Sequence, residues 1–197
     1  MPRATSQTKS PPPPLEICIL AGGQSARMGR DKARLRLGRR TLLGHARVTA
    51  LLLGLPVRVI RRDLVPRCGP LGGIFTALTT TRAGAVLFLS CDMPFVTPAL
   101  LRRVIRAGRL KETQPQAVFT ASREGAGFPF LIRREAQPRV EKQIQRGRFS
   151  LQALAHGLRA KRLRLARTAV AQLANLNTAA ELAAAKRHHC LSQKARG

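Results

Sequence analysis

The sequence predicts a three-layer α/β/α sandwich built on a mainly parallel sheet. Short apolar runs end abruptly at glycine or at an acid, stretches with helical spacing of apolar residues lie between them, and the two kinds alternate along the chain. In order, residues 1–14 are polar and then proline-rich, closing on Pro11-Pro12-Pro13-Pro14, and read as a disordered or extended arm. Residues 16–21 carry Ile17, Cys18, Ile19 and Leu20 and stop at Gly22-Gly23, the pattern of a strand covered on both faces. A loop follows. Residues 41–53 place Leu42, Leu43, Ala46, Val48, Ala50 and Leu51 at helical spacing, Gly54-Leu55-Pro56 ends that helix, and 57–60 read as a strand.

Gly69-Pro70-Leu71-Gly72-Gly73 reads as a second glycine-rich turn ahead of a helix over 74–80, and 85–89 form a very apolar strand. Thr97-Pro98 opens the next helix, with proline in the first turn where its missing N–H does no harm and Leu100, Leu101, Val104 and Ile105 forming the buried stripe. Further strands are expected over 118–121 and 128–132, a helix from about Ser150 and a strand near Leu163. Thr178 with Glu181 three residues on is a capping-box pattern for a last helix. One domain over 15–190 with a flexible tail over 191–197 completes the expected organisation.

Composition bounds the function. No apolar run approaches a membrane span and residues 1–14 hold no signal-peptide core, so a cytoplasmic chain that does not enter membranes is expected. The cysteines Cys18, Cys68, Cys91 and Cys190 lack any CxxC or metal-type spacing, which argues against a disulfide framework or a zinc site. A formal net charge of +27 calls for an anionic partner. The basic residues are spread along the whole chain, tryptophan and tyrosine are absent and no nucleic-acid-binding pattern occurs, so only non-specific, salt-sensitive contact with RNA or DNA is expected.

The segment Leu20-Ala21-Gly22-Gly23-Gln24-Ser25-Ala26-Arg27-Met28-Gly29-Arg30-Asp31-Lys32 joins three glycines, a hydroxyl and fixed cations directly after a buried strand. Glycines allow backbone N–H groups to close round phosphate oxygens, while Arg27 and Lys32 suit the charge that builds as a polyphosphate is cleaved. It is not a Walker loop, because Ala33 follows Lys32. The bland reading is a tight turn with surface cations. The chain's aspartates are Asp31, Asp63 and Asp92, each beside a glycine-rich or strand-end loop. Asp92 is the candidate Mg²⁺ ligand, with capping of the helix near Thr97 as its alternative. Parallel strands would open the Gly22-Gly23 and Cys91-Asp92 loops onto one edge of the sheet.

That first segment, with Gly69-Pro70-Leu71-Gly72-Gly73-Ile74, Cys91-Asp92-Met93-Pro94-Phe95 and Asn175-Leu176-Asn177-Thr178, resembles the molybdenum cofactor guanylyltransferase family from about residue 15 to 184. The resemblance implies a Rossmann-like nucleotidyltransferase fold, GTP and molybdenum-molybdopterin as substrates, and Mg²⁺ as cofactor. Molybdopterin-processing proteins and acceptor molybdoenzymes would be its partners, and the chain would act as a monomer. It further implies that Leu20, Ala21, Gly22 and Gly23 contact the nucleotide, that Lys32 and Arg27 act on its phosphates, and that Asp63 binds near the guanosine. Asp92 would hold the metal, and Asn175 and Asn177 would lie on the substrate side. A carboxylate suits guanine because that base offers two neighbouring N–H donors; Asp63 as a loop cap, and the asparagines as helix caps, are the plain alternatives. The family pattern departs from this chain between Leu53 and Val57, where a strand and short helix are missing, and at Gly127-Phe128-Pro129, where a more polar residue often precedes the proline. Rival readings are a nucleotidyltransferase of the same fold using CTP or a sugar phosphate acceptor, and a non-catalytic nucleotide- or nucleic-acid-binding relative.

Overall fold

The computed structural model describes residues 15–22, 32–109, 115–123 and 125–194. Its strands are β1 (Leu15–Leu20), β2 (Arg36–Leu37), β3 (Arg40–Thr41), β4 (Val57–Ile60), β5 (Ala85–Ser90), β6 (Ala117–Ser122), β7 (Gly125–Arg133) and β8 (Lys161–Arg164). Its helices are α1 (Leu42–Leu51), α2 (Pro70–Thr80), α3 (Pro98–Gly108), α4 (Gln137–Gln145), α5 (Leu151–Gly157), α6 (Arg167–Val170) and α7 (Ala179–Lys194). Six strands form the main sheet in the order β4-β1-β5-β7-β6-β8, while β2 and β3 make a small hairpin.

The sheet is mixed but mainly parallel. Strand β1 pairs in parallel with both β4 and β5, and β6 with β8; β7 alone runs against its neighbours β5 and β6. Parallel pairing of β1 with β5 aligns Leu20 with Ser90, so the two strands end together and their following loops leave from the same edge.

Alternation of side chains assigns β1, β4, β5, β6 and β7 to both cores, while β8 adds Leu163 to one of them. In β1, Cys18 and Leu20 face a layer made by α2, α4 and α5, while Leu15, Ile17 and Ile19 face α1 and α3. Strand β5 repeats this with Val86 and Phe88 on one side and Ala85, Leu87 and Leu89 on the other. Phe88, Phe119 and Phe130 are fully buried and stack across the strands, with Phe130 at 5.1 Å from Phe88 and 4.4 Å from Phe119. Outside the sheet, Leu176, Leu182 and Ala185 pack with Leu37 and Leu42, which fastens the start of α7 beside the β2–β3 hairpin.

Several elements differ from the expectation. Helix α2 begins at Pro70, with Gly69 at the N-cap in the left-handed region (φ 55°), so the Gly-Pro-Leu-Gly-Gly segment is the first turn of the helix and not a turn preceding it. Helix α4 and the β2–β3 hairpin are additions to the expected elements. Val140 is the sole buried residue of α4, too sparse a pattern to stand out. The capping box is present: Glu181 N–H donates to Thr178 Oγ1 at 3.1 Å and Thr178 N–H donates to the Glu181 carboxylate at 2.9 Å.

Candidate active site

At the carboxyl ends of β1, β4 and β5 lies a cleft of about 240 Å³ lined by Leu20, Ala21, Gly22, Lys32, Asp63, Gly69, Pro70, Gly73, Ser90, Cys91 and Asp92. Every nucleotide-contact and metal residue expected from the sequence and lying among the described residues is in this lining. Gly23 and Arg27 lie outside the described residues. The floor is held by strand-end bonds: Ala21 N–H donates to Ile60 O at 2.9 Å and Cys91 N–H to Leu20 O at 3.2 Å. The Ala21 amide is thereby engaged in joining β1 to β4. Among the described residues the Gly22 amide has no such bond, so it is the first amide past the strand that can meet a ligand.

The first turn of α2 forms one wall and turns the positive end of the helix dipole toward it; Pro70 has no N–H and Leu71 N–H donates to Cys68 O at 3.2 Å, so the dipole and not a row of open amides is what this turn offers an anion. Asp63 stands against this turn, its carboxylate so near Gly72 and Gly73 that a Cβ at Gly72 would lie 2.7 Å from Oδ2. Burial pushes the Asp63 carboxyl above the usual carboxylate range, and among the described residues no cation or donor offsets it. It is therefore not a hydrogen-bonded loop cap. Such a carboxylate is suited to ligand N–H donors, which would favour its charged form.

Asp92 follows β5, and the Ser90 hydroxyl donates to its Oδ1 at 2.5 Å. It does not cap α3, since the Thr97 hydroxyl accepts from Leu100 N–H. Sequence reasoning left Ser90 without a role, although a hydroxyl two residues before a strand-end acid is a visible signal. Among the described residues no three His, Cys, Asp or Glu side chains gather. A cation here would have one protein carboxylate, Asp92, and would take its other oxygens from phosphates and water, which is how Mg²⁺ is commonly held.

The asparagines divide. Lys32 Nζ donates to Asn177 Oδ1 at 2.9 Å, so Asn177 reaches Lys32 from a loop 145 residues later in the chain. Asn175 and Asn177 both line a second, larger hollow of about 870 Å³ with Phe95, Ser122, Leu173, Leu176 and Glu181. The cap of α7 is Thr178, as its hydroxyl shows. The 175–178 loop is also tied to the first cleft through Leu176 N–H, which donates to Asp92 O at 2.9 Å. The two hollows are thus linked by the Lys32–Asn177 and Leu176–Asp92 bonds, Lys32 and Asp92 lining the first and Asn177 and Leu176 the second.

Comparisons with known proteins identify the family. The family model described as a MobA-like NTP transferase domain matches residues 17–57 and 43–163. A protein of Mycobacterium tuberculosis (strain H37Ra) named "Probable molybdenum cofactor guanylyltransferase" is 33% identical over 86% of this chain and 92% of its own length. One with the same name from Pelotomaculum thermopropionicum is 39% identical, over 43% of this chain and 48% of its own length. Among solved structures, the molybdopterin-guanine dinucleotide biosynthesis protein A of Archaeoglobus fulgidus superposes with a TM-score of 0.67 at 19% identity, covering 87% of this chain and 97% of that one. Rv0371C of M. tuberculosis H37Rv, solved in complex with manganese, superposes with a TM-score of 0.52 at 22% identity over 79% of this chain and 89% of that one. The cleft beyond β1 and β5 and the match across most of the sheet lead to one conclusion: this chain belongs to the MobA-like NTP transferase family and is a nucleotidyltransferase by family.

Proposed function

We propose that this chain transfers GMP from GTP to molybdenum-molybdopterin, forming the guanine dinucleotide form of the cofactor and releasing pyrophosphate. The observation that carries this reading is the convergence of Gly22, Lys32, Asp63 and Asp92 on one cleft walled by the first turn of α2. The names of the relatives support the choice of guanylyl transfer.

In this reaction a terminal phosphate oxygen of the acceptor attacks the α-phosphorus of GTP. A new P–O bond forms as the α–β bridging bond breaks, and pyrophosphate leaves with the electron pair. No protein nucleophile is required, so positioning and charge neutralisation carry the step. Lys32 places a fixed positive charge at the phosphates, the Gly22 amide donates to their oxygens, and the positive end of the α2 dipole faces them. By sequence position Gly23 and Arg27 are assigned to the same phosphates. Asp63 receives the paired N–H donors of guanine, and Asn175 and Asn177 face the acceptor. Asp92, oriented by Ser90, would hold Mg²⁺, and the manganese complex of Rv0371C supports a divalent ion. That ion would neutralise charge on the phosphate oxygens.

The test is pyrophosphate release from GTP, CTP, ATP or UTP, with and without molybdenum-molybdopterin. GTP-dependent release that needs the acceptor is expected, falling by about 10²–10³-fold in Asp92→Ala, the loss typical of removing one electrostatic stabiliser. Preference for CTP, or for a sugar phosphate acceptor, would displace the proposal, as would full activity in Asp92→Ala.

A further inference from the structure

Resting on the reading of the first cleft as a nucleotidyl-transfer site, we infer that Glu181 is a positioning residue for that transfer, acting through Asn177. In a simple capping box the carboxylate takes the N–H of the cap residue alone. Here Glu181 Oε2 accepts from Thr178 N–H at 2.9 Å and also from the preceding Asn177 N–H at 2.6 Å. The second bond lies outside the capping box and fixes the peptide that carries the Asn177 side chain.

That side chain has a defined job. Asn177 Oδ1 accepts from Lys32 Nζ at 2.9 Å, and an ammonium has three donors, so two remain for phosphate oxygens. With Oδ1 turned to Lys32, the amide NH₂ of Asn177 is the end left to donate to an acceptor in the adjoining hollow, which Asn177 also lines. Leu176, one residue earlier, is bonded to the Asp92 carbonyl at 2.9 Å. The loop is thereby anchored to the metal-side acid, to the phosphate lysine and to Glu181 at once. Among the described residues, Asn177 is the side chain that both bonds the donor-phosphate lysine and lines the second hollow, and Glu181 sets its place. Relative placement of two phosphates is what an in-line displacement depends on, and small misplacements act on turnover more than on binding of either substrate.

The experiment compares steady-state nucleotidyl transfer by the full chain as wild type, Glu181→Ala, Glu181→Gln, Thr178→Ala, Asn177→Ala and the Asn177→Ala/Glu181→Ala double variant, with melting temperature measured for each. Thr178→Ala removes the other half of the capping box and so reproduces the helix-end loss without releasing the bond to Asn177. Glu181→Ala should lower kcat about tenfold with KM for GTP changed less than twofold. Glu181→Gln, which still offers an acceptor oxygen, should recover most of that loss. Thr178→Ala should keep kcat within about twofold of wild type at a similar fall in melting temperature. The double variant should be no slower than Asn177→Ala, because coupled residues are not additive. The positioning role is overturned if Thr178→Ala and Glu181→Ala lose kcat in proportion to stability, if Glu181→Ala matches wild type, or if the double variant multiplies the single losses. Absence of pyrophosphate release by the wild type with every nucleoside triphosphate overturns the reaction itself, an outcome distinct from these.

Discussion

Gly22→Ala tests whether the end of β1 shapes the phosphate cradle. A Cβ at this position would lie 2.7 Å from Arg61 O, 3.0 Å from Arg61 C and 3.4 Å from Arg61 Cα, all backbone atoms that no side-chain rotation can move. Ordinary contact begins near 3.4 Å, so the two chain segments must part by about 0.7 Å. They are joined one residue earlier by the bond from Ala21 N–H to Ile60 O. Overpacking of this kind costs roughly 1–3 kcal/mol, or about 2–12 °C in melting temperature for a domain of this size. A misplacement of 1 Å at a catalytic centre costs on the order of 10²-fold, so 0.7 Å should lower kcat/KM about 10- to 50-fold. The control is Gly73→Ala, whose Cβ would meet Leu20 Cδ2 at 3.1 Å and Cδ1 at 3.3 Å, the movable end of a side chain, and Asp63 Oδ1 at 3.4 Å, an ordinary contact. Alanine in place of a glycine within a helix contributes about 1 kcal/mol, so this variant should melt at or above the wild-type temperature and keep activity within about fivefold. Calorimetry and pyrophosphate release measure both. Wild-type melting and turnover in Gly22→Ala would refute the argument.

Other consequences concern ionisable groups. Because burial raises the Asp63 carboxyl, its ionisation opposes folding: the cost is absent below the ordinary carboxylate pKa and grows as pH rises through the raised folded value. Asp63→Asn should therefore melt higher than wild type at pH 7, converge with it in acid, and lose the extra stabilisation given by GTP over the other nucleotides; a lower melting temperature at pH 7 would contradict this. Burial likewise pushes the Cys18 thiol up to about 12, so in the folded protein at pH 8 it should resist alkylation and react only as fast as the chain unfolds. Labelling of Cys18 in the native state, read by peptide mass analysis, would contradict that.

Much of the site was legible because its residues sit where local rules put them. A buried run ending in Gly22 and another ending near Asp92 mark two strand ends, and a strand end in an α/β sheet is where ligands meet the fold. Helix α2 was placed four residues late because Gly72 and Gly73 disfavour helix by propensity; close approach of Asp63 and Leu20 to the helix backbone overrides that preference. The reversed direction of β7 left no mark, since Phe130 and Ile132 alternate with Leu131 across the sheet in the same way whichever way the strand runs.

By itself the sequence determined the layer architecture, the two strand ends that carry the glycines and the acid, and the cap of the last helix, because periodicity, turn chemistry and capping are interactions among near neighbours. Only the tertiary structure decided that Asn177 grips Lys32, that Leu176 is tied to Asp92 and that Asp63 stands against α2. Those contacts join residues far apart in the chain, and their partners are chosen by how the packed layers bring the loops together, which no local pattern encodes.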